Sequence, residues 1–142
     1  MRSFAIAGAL LVALSVGAAA ADAPSLVGNW TRTAYSSAQV GESTGYPASS
    51  NPSLTHGTGQ DWKIKIDAQD GNSFSGTLTG PTGNPQTIVG AFRQDGKHFV
   101  FSTNTDSGAG EANSDEMEYC WTASSQRFVG AGCATFKRSA RQ

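Results

Sequence analysis

The chain has 142 residues, and its 10 Lys and Arg nearly cancel 11 Asp and Glu, for a net charge of −1. That balance supplies no basic face for nucleic acid and no strong field to draw an anionic substrate. Seventeen Gly and a preponderance of rings over long aliphatics call for a core of aromatics on many short strands, the pattern of an all-β sandwich or barrel.

Residues 1–21 read as a signal peptide. Arg2 is the charged region, residues 4–16 are an apolar run too short to span a bilayer, and Ala18 to Ala21 offer small-residue cleavage sites. The expectation is a secreted or periplasmic protein whose residues 22–142 form a single β-barrel domain, with no membrane anchor. Residues 26–33 open that domain as a strand, with Trp30 inward and Gly28 on the same face. Residues 34–41 are a candidate further strand. The whole stretch 35–60 is rich in Ser, Gly, Pro and Thr and reads mainly as a long loop, of the length that usually carries function or disorder.

Residues 62–101 are the best-determined stretch. Trp62, Ile64 and Ile66 alternate with Lys63, Lys65 and Asp67, the period of a half-buried strand. Asp70-Gly71 marks a turn, and Phe74, Gly76 and Leu78 then share a face. The expected pairs are Ile66 with Phe74, Ile64 with Gly76 and Trp62 with Leu78. Beyond the turn cluster at 80–85, Leu78 is expected to face Ile88, Gly76 to face Gly90, and Phe74 to face Phe92. Asp95-Gly96 is a hairpin signal, setting Arg93 against His98, Phe92 against Phe99 and Gly90 against Phe101. The column of Gly76 and Gly90 points to a strongly curved sheet.

Residues 103–115 read as a second long, acidic loop. Its spacing fails the calcium-loop pattern, so no metal is expected. Met117, Tyr119 and Trp121 alternate in the next strand, and residues 128–137 return. Setting Cys120 opposite Cys133 places Trp121 against Gly132, Tyr119 against Ala134, and Met117 against Phe136. Two Cys in an exported chain are expected to form a disulfide. The connections are all sequential, so the expected fold is an antiparallel up-and-down meander of about eight strands. It closes into a barrel where the first strand (Trp30) meets the last (Phe136).

Leu26-Val27-Gly28-Asn29-Trp30 resembles the first strand of avidin and streptavidin, and more loosely the Gly-x-Trp of lipocalins. Asp70-Gly71 with Phe74-Ser75-Gly76-Thr77 is similar to an avidin-type hairpin. The resemblance implies a small barrel able to hold one ligand. It does not carry the biotin contacts over: Arg32 and Leu78 stand where that pattern has polar and Tyr residues, and 98–103 lacks its Trp-Lys.

The functional expectation is a binding protein that holds a small apolar or aromatic ligand inside the barrel, against Trp30, Trp62, Phe74, Phe92, Phe101, Tyr119 and Trp121. The alternative is a protein-interaction or inhibitor module acting through 35–60 and 103–115 on a rigid scaffold. No cofactor is expected. His56 and His98 stand in no recognisable nucleophile motif and Gly-x-Ser-x-Gly is absent, so an enzyme is not expected, and His98 reads as a solvated cross-strand neighbour of Arg93.

Overall fold

A computed structural model describes residues 22–43 and 46–139; the signal-peptide expectation for residues 1–21 lies outside them. The strands are β1 (Gly28–Ser43), β2 (Tyr46–Gly57), β3 (Lys63–Asp70), β4 (Ser73–Thr79), β5 (Pro85–Phe92), β6 (His98–Thr103), β7 (Ser107–Ala112), β8 (Glu116–Ser124) and β9 (Phe128–Arg138). All pair antiparallel. Strands β1 and β3 to β9 form a closed eight-stranded barrel, sealed by the β1–β9 ladder, and β2 is a ninth strand. Closure leaves the barrel strands no free edge.

β1 is one strand rather than the expected two. One of its edges pairs with β9 from Trp30 to Gly41. The other edge is divided: Gly28 to Thr31 pair with β3, and Tyr35 to Ser43 pair with β2. A bulge falls at the division, because Arg32 pairs with Phe136 while Ala34 pairs with Thr135, leaving Thr33 as the extra residue. Side chains alternate across a strand, so an inserted residue exchanges the two faces. Trp30 and Arg32 point inward before the bulge, and Tyr35 and Gln39 line the interior after it. The last strand therefore meets β1 as expected, but Phe136 lies opposite Arg32, and Trp30 lies opposite Arg138.

Both expected long loops are largely ladder. Residues 35–43 are the second half of β1, 46–57 are β2, and 107–112 are β7, paired on both sides. The expected registers of β5–β6 and β8–β9 hold, Phe92 with Phe99 and Cys120 with Cys133 included. Those of β3–β4 and β4–β5 are each displaced by two residues. Ile66 pairs with Gly76 and Ile64 with Leu78, because Asp67 is bulged and the turn sits at Gly71-Asn72. Gly71 takes φ 53° there, a conformation open to glycine at little steric cost. Phe74 pairs with Gly90 and Gly76 with Ile88, because β5 begins directly at Pro85. A shift of two keeps the inward face, so the core composition is unchanged.

Rings and glycines share that core. Phe74 lies over Gly90 of the next strand, where a Cβ would stand 2.2 Å from its Cζ. A Cβ on Gly108 would meet the carbonyl oxygen of Cys120 at 2.0 Å and Phe101 at 2.8 Å. Such contacts exclude any side chain, so the large residue of each pair needs the absent one opposite.

The disulfide Cys120–Cys133 ties β8 to β9 across a sequence separation of 13. A loop of that size contributes about 3 kcal/mol by restricting the unfolded chain. The Cys120→Ser/Cys133→Ser double variant is expected to lose about that much in urea unfolding while keeping a β-type circular dichroism spectrum; equal stability of the two proteins contradicts this account.

Candidate functional site

The two ends of the barrel differ. At one end Leu26 and Trp30 are wholly buried, and Trp30 Nε1 donates to the Leu26 carbonyl at 2.8 Å. The Arg138 guanidinium lies 4.4 Å from the Trp30 ring centroid and donates to the carbonyls of Val27 and Ser25. Gln69 holds the same segment by accepting from Leu26 N–H and donating to the Pro24 carbonyl. Behind this cap, Phe74, Phe92 and Phe99 meet edge to face at 5.7 to 6.0 Å, the preferred arrangement of ring quadrupoles. That half is filled.

The other end opens into a cavity of about 430 Å³. Trp62, Phe101, Tyr119 and Trp121 line it, with Leu78 and Phe136 below them. Tyr119 stacks on Phe136 at 5.2 Å and contacts Phe101 at 4.7 Å, which holds these walls rigid. Of the seven residues expected to form one ligand face, four are thus brought together in the cavity. Trp30, Phe74 and Phe92 belong instead to the packed half, because the N-terminal segment and Arg138 close that end.

The part of the lining that comes from β1 and β2 is polar. Arg32, Tyr35, Ser37 and Gln39 of β1 and Ser49, Ser53 and Thr55 of β2 face the cavity. Arg32 is 9% exposed. Its guanidinium carbon stands 4.0 Å from the Tyr35 ring centroid, its Nε donates to the Gly59 carbonyl at 3.3 Å, and Nη2 lies 3.6 Å from Asp61. Gln39 Oε1 is buried without a hydrogen-bond partner among the described residues. Asp106, between β6 and β7, also lines the cavity and is 7% exposed. Burial pushes its carboxyl above the ordinary range, and a hydrogen bond from Thr105 offsets part of that.

Sequence reading finds none of these polar residues. Arg32 carried a signal, since it stands two residues after the inward Trp30. Tyr35 and Gln39 did not, because the bulge at Thr33 exchanges the faces between them.

His98 lies on the outer surface. Its ring bonds Asp95 at 2.8 Å and approaches Glu111 at 3.6 Å, and only its carbonyl meets Arg93, through the backbone N–H. The N–H groups of His98 and Lys97 hold the Asp95 carboxyl well below the usual carboxylate range. Among the described residues, no three His, Cys, Asp or Glu side chains gather as metal ligands. Scans against protein-family models, curated proteins and solved structures return no match to this chain.

A raised carboxyl pKa favours the folded state most strongly below the unfolded value and loses that contribution as pH rises through the folded value. Ionised Asp106 is therefore a liability at neutral pH. Asp106→Asn is expected to raise Tm at pH 7, with the difference from the parent shrinking toward zero near about pH 4. Melting curves across that range check it, and a variant less stable at pH 7 contradicts it.

Proposed function

We propose that this barrel is a binding protein that takes a small organic molecule, with an aromatic or apolar body, into its open half. The observation that carries the reading is the contrast between the two ends. One half is packed to the last ring, while the other keeps about 430 Å³ between fixed aromatic walls. That volume lies in the range of small-molecule sites, which combine apolar walls with a few placed polar groups. The role is binding rather than catalysis: His98 and His56 stand outside this cavity, and the polar groups within it are suited to orienting a guest. Export from the reducing cytosol accompanies this reading. The disulfide supports it, as do the charged and apolar segments of residues 1–21.

Docking to another protein through 35–60 is the second reading. It is favoured by the outer edge of β2, which pairs with β1 alone among the described strands. Pro52 interrupts that edge, a common device against strand addition.

Trp62 and Trp121 report directly on the cavity. Titration with a panel of neutral and charged bicyclic aromatics is expected to give saturable change in Trp emission. Calorimetry on Trp121→Ala is expected to show binding weakened by about tenfold or more. No saturable response to any compound eliminates the reading.

A further inference from the structure

We propose that the guest is an aromatic carboxylate, and that Arg32 receives its carboxylate while the aromatic rings of the same cavity hold its body. The assignment rests on the binding role proposed above and specifies the chemistry of the ligand.

Arg32 is held in place from two sides. β1 directs it inward beside Phe136, and the bulge at Thr33 brings Tyr35 to the same face beneath it. Stacking occupies the flat face of the guanidinium and leaves all five donors in its plane. The contacts these donors make are weak: Nε reaches the Gly59 carbonyl at 3.3 Å, and Nη2 stands 3.6 Å from Asp61. Both lie toward the 59–61 connection, and Nη1 has no hydrogen-bond partner among the described residues.

Asp61 is a poor counter-ion for a buried charge. Its side chain is 63% exposed, against 11% for Arg32, so water competes for it. A cation this deep is stabilised fully only by a close, hydrogen-bonded anion. A planar carboxylate matches the in-plane fork and is the partner that guanidinium binds in bidentate fashion. Phosphate is bulkier and more strongly hydrated, and the single cation among the described lining residues suits one negative charge.

The rest of the cavity sets the body of the ligand. Trp62 borders Arg32 just ahead of the neighbouring β3 and accepts its backbone N–H, Tyr119 and Trp121 stand on β8, and Phe101 stands on β6, four strands from β1, so a flat ring lies against them while its carboxylate reaches β1. The partnerless Gln39 Oε1 on that same wall accepts from an O–H or N–H donor when the ring carries one. Asp106 lies at the β6–β7 connection, four strands from β1 around the barrel, where it opposes a second anionic group on the ligand.

The test compares 2-naphthoate with 2-naphthamide, which share a ring system and differ in charge, by calorimetry on the full chain. Wild type is expected to bind naphthoate about tenfold tighter or more, the worth of a charge-assisted hydrogen bond in a buried site. Arg32→Gln is expected to abolish that preference while still binding the amide, which shows that the fold and cavity persist. Asp61→Asn, at an exposed position that leaves the core untouched, removes the competing anion and is expected to tighten naphthoate several-fold with the amide unchanged. Equal affinities for the two compounds in wild type overturn the carboxylate assignment and leave the binding role standing. So does an Asp61→Asn effect that is absent or the same for both. Failure of both compounds to bind wild type overturns the assignment and the binding role together.

Discussion

The structure depends on how β1 divides one of its edges between two neighbours. A strand has two edges, and β9 occupies one along nearly the whole of β1. The second serves β3 for four residues and then β2. Where the partner changes, Thr33 bulges, and the Arg32 N–H carries the β1–β3 register one residue further, to the Trp62 carbonyl at 3.0 Å. An extra residue bends and twists the strand that carries it. Here it does so where the barrel turns from a closed ring into an opening. The same residue reverses the faces of β1, which brings its polar side chains into one cavity with the rings contributed by the other strands.

The two halves of the interior differ in what fills them. An eight-stranded barrel is just wide enough for its own side chains or one small ligand. This chain uses both options, one at each end. The filled end has large rings paired with glycines and is covered by a segment that Arg138 and Gln69 bind to the barrel. Among the described residues no such segment covers the open end, and its rings are held by contact with one another. Rigidity in the filled half is inherited by the cavity through the contacts that run from Phe99 to Phe101, Tyr119 and Phe136.

Charge inside such a small interior requires a local remedy. Arg32 is stacked on Tyr35 and loosely paired with Asp61, and Asp106 is held by hydrogen bonds of its loop while its carboxyl is pushed toward the neutral form. The ladders close the barrel without either side chain, and burial of an ionised Asp106 lowers the margin of stability. The proposed binding role gives such residues a purpose. The outer ion pairs, such as Lys97 with Glu111 and Lys137 with Glu116, are solvated and contribute little to either stability or chemistry.

Strand period, hairpin chemistry and cysteine pairing are local, and through them the sequence by itself determined the all-β class, the inward face of 62–101, the β5–β6 and β8–β9 registers and the disulfide. The β7 strand was invisible because its inward positions are Gly108, Gly110 and the small Ala112; the two glycines have no side chain to mark a period and serve as room for Phe101 and Phe99. β2 was invisible because it faces a polar cavity rather than a core. The bulge at Thr33 has no local signature, since it answers β9, about a hundred residues away, and nothing in the 62–79 pattern marks the bulge at Asp67 within its own hairpin. Which rings line a cavity and which fill the barrel was decided by the tertiary structure alone: a strand records which side is inward, while depth along the barrel is set by where the ends are covered, by Trp30 and Arg138 from opposite ends of the domain.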